Sequence, residues 1–193
     1  SAICESVTAT TWDSEESLIS SYDDARRNLE VIAASSNRVV YGVDATKLDS
    51  NLGSYDLVVW NFPHVPGKAN NKHNRALIDG FLQATDNVLT ADGKVLLTLC
   101  PDQSGWHAAT HTDFLASWKL SHYAAQNGYL VTQRLPFEGT IQEAFSDLYY
   151  PVGHRGSGSK FSAFRGRADV FILSRNGDAQ QAPLYSHELH VTS

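Results

Sequence analysis

The residues best suited to chemistry stand at the ends of short apolar runs. Asn61-Phe62-Pro63-His64 follows the run 55–60 (YDLVVW), and its residue types suit gripping a flat heterocycle. A side-chain amide and its neighbouring carbonyl can hydrogen-bond the edge of a base while an aromatic ring stacks on its face. Proline stiffens such a loop, so little ordering entropy is lost on binding. His64 is the one ordinary near-neutral base in the motif. Asp13 and Asp44 follow the β-branched runs 7–11 and 38–43. A carboxylate there can accept bonds from both hydroxyls of a ribose or from an adenine amino group. Both residues are equally good N-cap and turn formers. Glu15 and Glu16 read as a solvated acidic first turn of a helix.

Other patterns carry less. His107 and His111, four residues apart in HAATH, invite a zinc reading. The motif lacks the glutamate of a metalloprotease and no thiolate cluster completes a site, so no metal is expected. Gly153 to Lys160 (GHRGSGSK) looks like a phosphate loop but follows Tyr149-Tyr150-Pro151 rather than a buried strand, and it lacks a Gly-Lys-Ser/Thr ending. Arg155, Lys160, Arg165 and Arg167 lie among Tyr149, Tyr150, Phe161 and Phe164. That mixture suits RNA phosphates with base stacking, or an ordinary solvated loop.

These residues must be positioned by the elements around them. The pattern predicts a strand over 7–11 and an amphipathic helix from 13 to about 34, with Leu18, Tyr22, Ala25, Leu29 and Ile32 at helical spacing and Asp13 and Glu16 in a capping-box-like arrangement. Further strands are predicted over 38–43, 55–60, 94–99, 129–135 and 168–174, helices over 72–88 and 114–126, and a turn at 91–93. Alternating strands and helices imply an α/β fold with a doubly wound, mostly parallel sheet. Ligands of such sheets bind beyond the carboxyl ends of the strands, which would bring Asp13, Asp44 and Asn61 to one edge. Residues 1–175 read as one domain and 176–193 as a polar tail.

Composition agrees. A chain of 193 residues, 42% hydrophobic and 19% charged, suits one domain with a sizeable core. No apolar run approaches the roughly 20 residues of a membrane span and no signal-like segment opens the chain, so membrane proteins and secretory precursors are not expected. Cys4 and Cys100 cannot build a disulfide framework, which makes a reducing intracellular compartment the expectation. The absence of methionine predicts that the translated N-terminus was trimmed or lies elsewhere. Residues 1–56 hold ten acids against four Lys/Arg and residues 57–193 hold eleven of each, so the net charge of −6 arises in the first third. The remainder could still present a local basic face to phosphate.

ATTWDSEESLISSY, YGVDATKL and VVWNFPHVPGK followed by Asn74-Arg75, in this order and spacing, resemble the domain of eukaryotic ribosomal-RNA uridine-N3 methyltransferases. The similarity continues through GKVLLTL and Trp118 to YYPVGHRGSGS and about Ser174. The resemblance implies a Rossmann-like class I methyltransferase, S-adenosylmethionine as methyl donor, a uridine of large-subunit ribosomal RNA as acceptor, and a nucleolar or nuclear location. It implies that Asp13 with Ser14 holds the donor's ribose, Asp44 with Ala45 its adenine, and that Asn61, Phe62, Pro63 and His64 line the methyl and base pocket, Asn61 reaching the donor as well. His64 would help remove the N3 proton and Lys68 would stabilise the developing anion. Lys68, Lys72, Arg75, Arg155, Lys160, Arg165 and Arg167 would form a phosphate-contacting rim. The family's N-terminal strand and glycine-rich motif are expected to be missing or truncated, because the chain opens Ser1-Ala2-Ile3-Cys4. A non-catalytic RNA-binding or scaffold domain is therefore the competing expectation, and a small-molecule methyltransferase a third.

Overall fold

The computed structural model describes residues 5–34, 37–65, 70–137 and 167–177. Strand β1 (Thr8–Thr10) lies parallel to β2 (Arg38–Val40), joined to it by helices α1 (Glu15–Ser21) and α2 (Ala25–Ala33). Strand β3 (Tyr55–Asn61) leads into α3 (Asn71–Thr85) and then β4 (Leu89–Leu99), which returns parallel to β3. Helices α4 (His111–Ala116) and α5 (Leu120–Gln126) precede β5 (Tyr129–Pro136) and β6 (Asp169–Arg175), with β6 inserted antiparallel between β4 and β5. The strands thus form a parallel pair and a four-stranded sheet ordered β3-β4-β6-β5.

The α/β class holds, and the sheet is more mixed than the alternation of elements predicts. The crossovers β1-to-β2 and β3-to-β4 are each long enough to contain helix, as parallel pairing requires. β5 and β6 run antiparallel to each other and need no such crossover.

Two helices expected as single are broken. The stretch from 13 to 34 divides at Tyr22, whose backbone is extended (φ −133°, ψ 119°), and the Ser21 hydroxyl bonds back to the Ser17 carbonyl. Serines and aspartates at 20–24 compete with the helix for its own backbone groups. The stretch 114–126 divides at Ser117-Trp118-Lys119, where Lys119 takes a left-handed conformation (φ 56°). Thr110 and Asp113 start α4 with a complete capping box. The turn expected at 91–93 is an excursion inside β4, since Tyr55 pairs with Leu89 but Leu57 already pairs with Lys94.

The core gathers on one face of β4 and β6. Val95, Leu97 and Leu99 of β4 and Phe171 and Leu173 of β6 are wholly buried beneath Ile78, Phe81 and Leu82 of α3 and Leu120 and Ala124 of α5. Trp60 of β3 packs on Phe81 with ring centroids 4.4 Å apart. Fully burying such side chains contributes about 1.5–3 kcal/mol each. Replacing Leu97 by Ala should therefore destabilise the fold by about 2–5 kcal/mol in urea denaturation. Val59→Ala, at a half-exposed β3 position, should cost much less.

Candidate functional site

Strands β2 and β3 belong to separate sheets and are linked near both ends. At the amino end, Arg38, the first residue of β2, donates to the hydroxyl of Tyr55, the first residue of β3. Both strands therefore start on the same side. At the carboxyl side, the 3₁₀ turn Ala45–Lys47 lies against α3, so close that a Cβ on Gly80 would stand 3.0 Å from Thr46 Cβ. Glycine there lets the turn after β2 dock on the helix that follows β3.

Asp13 does not cap α1. Ser14 does, accepting from the Ser17 amide, while Asp13 Oδ1 accepts from the Ser17 hydroxyl at 3.1 Å. No bond to its second oxygen is seen among the described residues, and Trp12 beside it is 71% exposed. That free acceptor next to an open aromatic face suits a ribose diol. Asp44 is more fully engaged. Its Oδ1 accepts from the Thr46 amide and hydroxyl and its Oδ2 pairs with Lys47 Nζ at 3.0 Å, so the turn-forming role is the one the geometry displays. Ala45 opens that turn.

Asn61 is the last residue of β3. Its Oδ1 accepts from Thr98 Oγ at 2.6 Å, and Thr98 is fully buried in β4. With the oxygen so occupied, the amide NH₂ is left as a donor with no partner among the described residues. Phe62 adopts a left-handed backbone (φ 54°), its N–H bonded to the Thr98 carbonyl and its ring edge-on to Phe137 at 5.2 Å. A non-glycine residue held there stores on the order of 1–3 kcal/mol, which neighbouring contacts must hold in place. Pro63 is buried, His64 is exposed, and the loop is caught again where the Val65 amide donates to buried Asn74 Oδ1 at 3.0 Å. Thr98 and Asn74 thus brace the loop from two sides. Sequence reasoning missed both, although each left a trace: a hydroxyl inside an apolar strand and an amide on the inner stripe of α3.

The cationic rim divides. Lys72 stands exposed in the first turn of α3. The Arg75 guanidinium instead donates to the carbonyls of Leu115 and Ser117 at the end of α4, so it braces protein. Arg167 is exposed, and Lys68, Arg155, Lys160 and Arg165 lie outside the described residues. Of the two histidines of HAATH, His107 bonds Asp169 through Nε2 and His111 begins α4. No group of three metal-ligating side chains occurs among the described residues. Burial pushes the Cys100 thiol up, which disfavours a thiolate nucleophile at the end of β4.

The Thr46 hydroxyl, then Lys47 and the Thr46 amide, hold the Asp44 carboxyl down to about 2. Since an unfolded aspartate titrates near about 3.9, this lowered value contributes stability that is present above about pH 4 and is lost as pH falls toward about 2. Asn at position 44 keeps the capping oxygen but not the charge. Asp44→Asn should therefore be less stable than wild type at pH 6, with the gap closing between about pH 4 and pH 2 in paired urea titrations.

Residues 1–147 match a family described as rRNA (uridine-N3-)-methyltransferase BTM5-like. The chain is 33% identical over 118 residues to the Mus musculus ferredoxin-fold anticodon-binding domain-containing protein 1 homolog, covering 58% of this chain and 19% of that protein. It is 30% identical over 170 residues to the Homo sapiens protein of that name, covering 86% of this chain and 27% of that one. It therefore spans only about a fifth to a quarter of these relatives. Among solved structures, TrmN from Thermus thermophilus is 15% identical with a TM-score of 0.44, covering 89% of this chain and 44% of that one. The pyocyanin biosynthetic protein PhzM is 11% identical with a TM-score of 0.47, covering 89% and 50%. These structural likenesses are too loose to carry chemistry across. The family model covers most of the chain, and the chain belongs to the rRNA (uridine-N3-)-methyltransferase BTM5-like family.

Proposed function

We propose that this chain is the methyltransferase domain of an RNA-modifying enzyme that moves a methyl group from S-adenosylmethionine to N3 of a uridine in large-subunit ribosomal RNA, working in the nucleolus or nucleus. Family membership supports the class of reaction. The observation that carries the reading to a site is Asn61 at the end of β3, whose amide oxygen is held by buried Thr98 while no partner for its NH₂ occurs among the described residues. A uracil ring offers carbonyl acceptors on both sides of N3, and a fixed NH₂ donor can hold one of them.

The donor, when bound, supplies an electrophilic methyl on a sulfonium. This chain supplies position. Asp13 would accept from the ribose hydroxyls, with Ser14 keeping the start of α1 beside it. The Asp44–Ala45 turn would border the adenine through its backbone, the carboxylate being already engaged. Asn61 would orient the base, Phe62 and Pro63 would shape its pocket, and His64, which is exposed, would meet the incoming strand together with Lys68. Lys72, Arg155, Lys160, Arg165 and Arg167 would follow the phosphates.

The test is single-turnover methyl transfer to a ribosomal-RNA fragment, with the product located by mass spectrometry of nucleosides. Asn61→Ala should slow transfer by about 100-fold, as losing an oriented donor does, while RNA affinity changes by less than about twofold. Neutralising Lys72 and the 155–167 cations should instead weaken binding and flatten its salt dependence, by about one unit of slope for each phosphate that is no longer neutralised. RNA binding without any donor binding in calorimetry would favour the scaffold role.

A further inference from the structure

A second polar constellation stands at the same sheet edge. Asp169 opens β6, paired with Leu99 of β4 and Pro136 of β5. Its side chain is only 11% exposed, with Oδ1 bonded to Arg134 Nη1 at 2.7 Å and Oδ2 to His107 Nε2 at 2.9 Å, whereas the His107 side chain is 50% exposed. Arg134 and His107 share the carboxylate, one on each oxygen. The bond to Asp169 engages the imidazole through Nε2 and leaves its other ring nitrogen, Nδ1, without a partner among the described residues.

The loop carrying His107 is held rather than loose. Gln103 Oε1 accepts from the Cys100 amide at 2.9 Å, its carbonyl accepts from the Trp118 amide at 2.6 Å, and Ser104 Oγ accepts from the Trp106 amide at 3.0 Å. Gly105 sits at φ +79°, where a Cβ would collide with Ser117 Oγ. Trp106, 43% exposed, rests on Phe171 at 5.9 Å and keeps part of its ring open.

The placement relative to Asn61 follows from register. Thr98, which holds Asn61, and Leu99, which pairs with Asp169, are consecutive, so their side chains leave opposite faces of the sheet. β3 and β6 are two strand spacings apart, about 10 Å. A nucleoside lying across this edge would meet Asn61 and Phe62 from one face and Trp106 and His107 from the other.

We propose that His107, oriented by Asp169, is the base that takes the N3 proton of the acceptor uridine, with Trp106 beside it as a stacking surface; this rests on the function proposed above. The His107 Nδ1 lone pair takes the N3 proton, and the resulting imidazolium is balanced by Asp169. The N3 electron pair then bonds the methyl carbon as the carbon–sulfur bond breaks, its electrons returning to sulfur to leave a neutral thioether. His107 returns its proton to water. His64, expected from the sequence to do this, is exposed and no described residue orients its ring.

The full chain should be assayed with His107→Gln and His107→Ala. Glutamine can still donate an amide N–H to Asp169 and pin the loop, but it cannot accept the proton. Both variants should bind RNA and S-adenosylmethionine as wild type does, and both should lose about 100-fold or more in single-turnover rate, in the range general-base removal costs. RNA carrying 5-fluorouridine at the target, whose N3 is more acidic, should restore much of the rate to the variants and little to wild type. If His107→Gln keeps the wild-type rate, or fluorouridine rescues neither variant, His107 is a loop anchor and the inference fails alone. If wild type transfers no methyl to uridine N3, the function proposed above fails and takes this inference with it.

Discussion

Strand β4 is held on both sides, parallel to β3 and antiparallel to β6, and its inward side chains Val95, Leu97 and Leu99 are wholly out of water. Everything of chemical interest in the four-stranded sheet is positioned from it. Its Thr98 holds both the Asn61 side chain and the Phe62 amide, and its Leu99 sets the level at which Asp169 begins β6. Hydrophobic burial is non-directional, so it cannot by itself choose which residue faces Asn61. The ladder hydrogen bonds make that choice, and the buried apolar face makes any other choice expensive.

The strands were legible because their apolar runs are bounded by clear stops. Pro63 follows one, and Gly42, at φ +69°, lies just past β2, which closes earlier than the expected 38–43. The helices were legible in phase but not in continuity. Leu18, Leu29 and Ile32 keep helical spacing across a break at Tyr22, because periodicity reports which face is apolar and is blind to serine and aspartate side chains competing for the backbone. The break at Lys119 is hidden for a different reason. It is fixed by tertiary bonds, Trp118 to Gln103 and Leu120 to Ser104, whose partners are distant in sequence.

The candidate site was legible in its strand ends and illegible in its supports. Asn61, Asp13 and Asp44 announce themselves as polar residues closing apolar runs. Thr98, Asn74 and Asp169 do not, because each matters through a partner 9 to 62 residues away. Arg75 shows the converse. Counted along the chain it belongs with the cations awaiting phosphate, but its fork is filled by two carbonyls at the end of α4. Charge along a sequence measures what could face a partner, and only hydrogen bonding shows what is already engaged.

Register therefore links stability to chemistry. A slip of one residue between β3 and β4 would place Leu97 or Leu99 opposite Asn61 and turn Thr98 away from it. The same slip would turn Val95, Leu97 and Leu99 to the opposite face, away from the cover supplied by α3 and α5. The cost of exposing three buried aliphatic side chains, several kcal/mol in sum, is much larger than the net worth of one Asn–Thr hydrogen bond, about 1 kcal/mol. The core thus enforces a site geometry that the site's own bonds could not maintain, including the left-handed turn at Phe62. It also keeps Asn61 and Asp169 on opposite faces of the sheet at one end of it.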